Sequence, residues 1–261
     1  MQRGKLYILL FAAAVCGVFS IVVSASVVLL KERQEENLRL DRIKSVLRVS
    51  GLVATGAELS RSEALDLFAK NIDARLVVLK TGDYATSGDP ASYDQKAAAV
   101  VPATSSEAPA NPAGVRRIPN LGLVYLVKSP ESGQVTGILL PVEGKGLWST
   151  LYGYLALEAD LNTIKGVTFY QHGETPGLGG EVDNQKWKDS WKGKKLYDAV
   201  GKFLFHVKKG IAGSDPNAVD GLSGATLTSR GVTNLVQFWL GENGYGPFLK
   251  KYPVMAAGGS K

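Results

Sequence analysis

Between Tyr7 and Leu30 the chain carries no charged residue. That is longer than the roughly 20 apolar residues a helix needs to cross a bilayer core. Its polar members, Ser20, Ser24 and Ser26, are small and suit contact with another helix. A cleaved signal peptide would use Arg3 and Lys5 as its basic start and Ser24-Ala25-Ser26 as its cleavage site. The apolar run nevertheless continues through Val27-Val28-Leu29-Leu30, past a usual signal core of about 7–15 residues. An uncleaved transmembrane anchor is therefore expected over residues 1–30. Beyond Lys31 charges crowd in around Leu38, Ile43, Val46 and Leu47, a pattern that predicts an amphipathic helix leaving the membrane. Ser60 and Glu63 stand at capping-box spacing and open a helix to about Ala69. Residues 31–74 thus read as a membrane-proximal helical region.

Short β-rich runs follow. Residues 75–80, 123–127, 137–140, 153–157, 166–170 and 203–207 predict strands, separated by turn residues. Trp187 and Trp191 share a face of a short helix over 184–192. Val232, Leu235, Val236, Trp239 and Leu240 recur at the period of a half-buried helix. From about Thr81 to Pro119 the sequence is rich in Ala, Ser, Pro and Asp with no periodic apolar pattern, and a long mobile excursion is expected there. Many strands with few intervening helices predict an α+β domain: a mostly antiparallel sheet with flanking helices, over 75–253, then a C-terminal tail at 254–261.

Composition narrows the function classes. The formal net charge is +6, with basic residues scattered in pairs such as Arg116-Arg117 and Lys194-Lys195. No basic arm with interleaved aromatics is present, which argues against nucleic-acid binding. Cys16 is the one cysteine, so neither an intrachain disulfide nor a cysteine-held metal cluster is available. His172 and His206 lack the i, i+4 spacing of a helical zinc site, and no metal site is expected. Ser223 is not in a G-x-S-x-G elbow, which weakens a serine-hydrolase reading. There is no dinucleotide-binding fingerprint, so no NADH site is expected on this chain.

Two segments remain as candidate chemistry. Asp220-Gly221-Leu222-Ser223-Gly224-Ala225-Thr226-Leu227-Thr228-Ser229 places small and hydroxyl-bearing residues ahead of a helix. The first turn of a helix offers free N–H groups and the positive end of a dipole, a seat for phosphate. The same residues also fit an ordinary helix capped by Ser or Thr. Glu174-Thr175-Pro176-Gly177-Leu178-Gly179-Gly180 describes a tight loop with close backbone approach. Trp148, between glycines in Gly146-Leu147-Trp148-Ser149, suits either a core position or a ring-stacking surface.

Asp-Gly-Leu-Ser-Gly-Ala-Thr-Leu-Thr resembles the D-x-x-(S/T)-G-A-T-x-(S/T) flavinylation motif of the FMN-binding domain family. Tyr152-Gly153-Tyr154, Asp160 to Ile164 and His172 to Gly180 extend the similarity. The resemblance implies one FMN joined covalently through its phosphate to the Thr226 hydroxyl, with Ser223, Gly224, Ala225, Leu227 and Thr228 around it. It implies further that Glu174 and Thr175 bond the ring or ribityl chain, that Gly177 and Leu178 give the ring van der Waals surface, and that Trp148 lies against it. A lysine such as Lys208 or Lys209 would offset the phosphate charge. The implied role is that of an electron-transfer subunit in a membrane NADH:quinone oxidoreductase coupled to Na+ export. Its partners would be the other subunits and a flavin transferase that uses FAD and magnesium. The implied location is the bacterial inner membrane, single-pass, with the large domain periplasmic. The basic residues Lys31, Arg33, Arg39, Arg42 and Lys44 after the span outnumber those before it and point the domain to the cytoplasm instead. Competing expectations are the G subunit of the related Rnf complex and a cofactor-free membrane-anchored scaffold.

Overall fold

The computed structural model describes residues 4–54 and 56–258, with the backbone alone from 253 onward. Arg3 and the end of the expected tail, 259–261, lie outside the described residues. The chain divides into two compact units, one ending at Ile43 and the other beginning at Lys44. The first consists of helix α1 (Lys5–Val49) up to Ile43, and the helix has no break at residue 31. Among the described residues this is the one helix long and apolar enough to cross a membrane. Its apolar side chains from Leu6 to Leu30 are exposed, as a lipid-facing surface is.

In the second unit the end of α1 turns apolar residues inward, and Val46, Leu47 and Val49 are buried. Helix α2 (Arg61–Asn71) starts at the predicted capping box: Ser60 N–H donates to Glu63 Oε2 at 2.9 Å, and Glu63 N–H to Ser60 Oγ at 3.3 Å. It runs directly into β1 (Ile72–Val78). After α3 (Gln95–Val100) come the short β2 (Ser105–Glu107) and β3 (Arg117–Pro119), which form a two-stranded ribbon. The main sheet is completed by β4 (Leu121–Lys128), β5 (Val135–Lys145), β6 (Thr150–Glu158) and β7 (Ile164–Gln171). Its order is β1-β4-β5-β6-β7, and every pairing is antiparallel. The α+β class with a mostly antiparallel sheet is thereby observed.

Downstream lie α4 (Gln185–Asp189), a parallel pair β8 (His206–Val207) and β9 (Ala218–Val219), α5 (Thr226–Leu240) and α6 (Gly246–Gly258). Of the strand expected over 203–207 only His206–Val207 forms regular strand, while Phe203 makes an isolated bridge to Tyr197 and Phe205 packs on Trp191 with ring centroids 4.7 Å apart. Helix α6 continues past the boundary expected at 253. Helix α5 covers β5 with Val232, Leu235, Val236 and Trp239, all at most 1% exposed. A Cβ at Gly231 would collide with the carbonyl of Lys145, so glycine sets how closely helix and strand approach. Trp239 Nε1 donates to the Glu143 carbonyl at 2.7 Å across the same contact.

The reading of 81–119 as a mobile excursion is corrected: the segment is folded onto the domain. Tyr93 OH donates to the Leu121 carbonyl at 2.7 Å, Leu123 N–H to Gln95 Oε1 at 2.7 Å, and Lys145 N–H to the Ala113 carbonyl at 2.7 Å. Ala113 and Val115 are buried. Isolated polar bonds of this kind carry no periodic apolar signature, which is why the pattern does not disclose them.

Truncating Leu235 to Ala should cost about 2–5 kcal/mol, the range for a buried Leu that leaves a cavity. Urea unfolding of the detergent-solubilised chain reads this as a lowered midpoint at unchanged slope. A midpoint equal to the parent's would contradict the packing described for α5 on β5.

Candidate functional site

Residues 146–149 form the turn of the β5–β6 hairpin, closed by Gly146 N–H donating to the Ser149 carbonyl at 2.8 Å. The turn aims three consecutive amides at one carboxylate. Leu147 N–H donates to Glu174 Oε2 at 3.1 Å, and Trp148 and Ser149 N–H to Glu174 Oε1 at 3.0 and 3.1 Å. Ser149 Oγ adds a fourth bond at 3.3 Å, and Thr228 Oγ1, from the first turn of α5, a fifth at 2.6 Å. Glu174 is 6% exposed. Burial alone would raise its pKa; the bonds from Thr228 and from the Trp148, Ser149 and Leu147 amides outweigh this and hold the carboxyl below its ordinary value. A Cβ on Gly179 would stand 2.7 Å from both Glu174 Oε2 and Thr228 Oγ1, so the glycine of the loop makes room for this bond. His172 supports the arrangement from behind. Glu174 N–H donates to His172 Nδ1 at 3.2 Å and His172 Nε2 meets Asp183 Oδ2 at 2.8 Å, which places the proton of a neutral imidazole on Nε2.

This geometry shows how two of the expected contact residues are employed within the chain. The Glu174 oxygens accept five bonds from the protein's own donors, leaving no lone pair for a ring or ribityl group. The Thr228 hydroxyl is fully buried and donated to Glu174, so it is a structural group.

The second cluster is the 220–230 segment. Trp187 Nε1 donates to the Asp220 carbonyl at 2.8 Å, and Asp220 Oδ1 accepts from Ala212 N–H at 2.7 Å. Ser229 is buried and accepts from Leu222 N–H at 3.0 Å. Position 225 caps α5, and it is an alanine: no side chain bonds the first-turn amides. None of Ser223, Thr226, Thr228 or Ser229 caps the helix, so the capped-helix reading of this cluster is overturned. Ser223, Gly224, Thr226 and Leu227 are exposed, whereas Ala225 is buried.

Ser223, Gly224 and Thr226 line a cleft of about 860 Å³ together with His206, Lys209 and Arg230. Lys209, not Lys208, is the lysine on its wall. Arg230 escaped the sequence reading although its signal was available: it is four residues after Thr226, hence on the same helix face. Leu178 reaches this loop as well, since a Cβ on Gly224 would lie 2.8 Å from Leu178 Cδ2. Thr175, Gly177 and Leu178 are exposed. The Trp148 side chain is 72% exposed and lines a different cleft; its backbone, not its ring, joins the Glu174 clamp. Among the described residues no hydrogen bond links Ser223 to either histidine, so no nucleophile–base pair exists there.

An open helix start, an exposed threonine hydroxyl and the cations Lys209 and Arg230 on one cleft wall fit a phosphate monoester. Exposed Leu178 and Leu227 offer apolar surface beside it.

Replacing Glu174 with Gln should cost about 1–3 kcal/mol at neutral pH, because donors aimed at a carboxylate lose their charged acceptor. The folded pKa is depressed, so the parent's contribution is complete above the ordinary value of 4.5 and disappears as pH falls through the folded value. Thermal melting against pH should therefore show a shallower acid limb in Glu174→Gln. An acid limb of equal slope would remove Glu174 as its source.

Residues 146–241, from the hairpin turn to the end of α5, match the model of the FMN-binding domain. The C subunit of the Na(+)-translocating NADH-quinone reductase of Pseudomonas aeruginosa is 48% identical over 95% of this chain and 96% of its own length. Its Yersinia pestis counterpart is 43% identical over 93% and 91%. The crystal structure of Shewanella oneidensis NqrC aligns with a TM-score of 0.77 at 37% identity, covering 84% of this chain and 99% of that one. That of the corresponding Parabacteroides distasonis protein aligns at 0.64 and 32%, covering 84% and 96%. Relatives this similar over nearly the whole chain show that it belongs to the family of NqrC, the C subunit of the Na+-translocating NADH-quinone reductases.

Proposed function

We propose that this chain is the electron-transfer subunit that carries one FMN as a phosphoester on Thr226, within a membrane NADH:quinone oxidoreductase coupled to Na+ export. The observation that carries the reading is the division of labour among the hydroxyls. Thr228 and Ser229 are buried and bonded internally, while Thr226 stands exposed at an uncapped helix start. When bound, the flavin supplies the electron chemistry. The chain supplies position and charge: the first-turn amides of α5, Arg230 and Lys209 receive the phosphate, and Leu178 and Leu227 flank the ring. Gly177 and Thr175 shape the neighbouring loop. The Glu174 clamp holds loop and helix in fixed register and keeps Trp148 on a rigid turn.

In this reading a separate flavin transferase forms the ester, and the exposure of Ser223, Gly224, Thr226 and Leu227 gives it access to the threonine. The NADH site belongs to another subunit. α1 anchors the chain in the bacterial inner membrane, and the domain lies on the periplasmic side. Family membership, against the count of basic residues after the span, supports that orientation.

On a denaturing gel, protein co-expressed with a flavin transferase should show flavin fluorescence that Thr226→Val abolishes. A dark parent band, with the transferase active on a control substrate, would overturn the covalent assignment. Equal fluorescence in both would move the ester to another hydroxyl. Arg230→Ala should keep the fold and slow loading about tenfold, as loss of one charge-assisted bond to phosphate implies. Unchanged loading kinetics would remove Arg230 from the phosphate site.

A further inference from the structure

A second cleft, of about 630 Å³, is lined by the folded 96–117 segment, β5, β6 and the Trp148-Ser149 turn. Lys96, Arg116, Arg117 and Lys145 contribute four cations to it, and Glu143 is the only acidic side chain in its lining. Arg117 is already engaged, donating to Ser105 Oγ and to the Ser105 carbonyl at 2.8 Å. Lys96 is steered into the cleft: its Nζ donates to Gln171 Oε1 at 3.0 Å and stands 4.2 Å from the Tyr152 ring centroid. Among the described residues no carboxylate lies within ion-pair distance of Lys96, Arg116 or Lys145. Burial pushes the Glu143 carboxyl up to about 7 against the pull of Lys96, so at neutral pH one partly ionised acid faces four cations. Two large apolar side chains are exposed in the same lining, Val100 at 73% and Trp148 at 72%. An exposed aromatic beside unpaired cations is the composition of a protein–protein hot spot, and a poor one for surface left to water.

We propose that this cleft receives an acidic loop of another subunit of the complex, its carboxylates on Lys96, Arg116 and Lys145 and an apolar side chain against Val100 and Trp148. The inference rests on the reading of the chain as a subunit of that complex. It also gives the 81–119 segment a purpose, because Lys96, Val100 and Arg116 come from it. The docked loop would touch Trp148 and Ser149, whose amides are bonded to Glu174, which in turn holds Thr228, two residues from Thr226. Docking and the flavin-bearing loop thus share one rigid turn, and a partner seated here stands beside the redox site. Charge complementarity of this kind makes the contact salt-sensitive.

The test uses the purified complex with a benzoylphenylalanine photocrosslinker at Val100, and at Val200, 88% exposed and outside the cleft, as control. Irradiation should join Val100, and not Val200, to a peptide of a second subunit that carries at least two Asp or Glu residues. In parallel, Lys96→Glu with Arg116→Glu should weaken retention of the chain in the complex at least tenfold at moderate salt, with in-gel flavin fluorescence unchanged as the sign of a folded, loaded domain. A Val100 adduct to lipid or to a peptide without acidic residues, no adduct at all, or retention equal to the parent's would each overturn the docking site. Failure of any other subunit to co-purify with the parent chain would instead overturn the assembly reading on which the proposal stands.

Discussion

The buried carboxylate of Glu174 is the point on which the functional half of the domain is hung. Burying an ionised carboxylate costs several kcal/mol unless its lone pairs are filled. Here they are filled by a hairpin turn, a serine hydroxyl and a helix-borne threonine. Those donors lie on both sides of Glu174 in the chain, Leu147 being 27 positions before it and Thr228 54 positions after it. A local clamp of this sort has no half-formed state of low energy: removing one donor leaves charge and amides mismatched together. The turn at 146–149, the 174–180 loop and the start of α5 are therefore fixed as one body. A site assembled from loops gains in this way the rigidity that loops by themselves lack.

On α5 the helical period sorts side chains of similar chemistry into different employment. Thr228 and Ser229 point inward and are consumed by structure, whereas Thr226 and Arg230 share the outward face. The close fit at Gly231 presses the helix onto β5, so the orientation of that outward face is set by the core and not by the loop before it. Packing and chemistry are thus linked through a single element: the residues that bury α5 also decide which hydroxyl is left accessible.

Much of this was legible in the residues. The long apolar helix, the capping box at Ser60, the strands of the main sheet and the amphipathic face of α5 each follow from periodicity or from a local bond, and these are signals a single segment carries by itself. Membership of the FMN-binding domain family was readable as a resemblance carried by residues 220–228. What escaped depended on partners remote in sequence. Nothing near Glu174 announces that its carboxylate will serve backbone amides 25 to 27 positions away. Nothing in the Ala- and Pro-rich 81–119 stretch shows that Ala113 and Gln95 will bond strands β5 and β4. Lys209 was separable from Lys208 only once the cleft was formed.

The alanine at the start of α5 sets a limit on how this domain can be improved. The usual way to stiffen a helix end is to install a capping side chain, worth about 1 kcal/mol. At position 225 that side chain would compete for the same amides the proposed phosphate needs. A more robust bare chain and a readily modified one are therefore opposing goals at this residue. The sequence leaves the start of this helix open, and under the proposed function the phosphate of the cofactor would complete it.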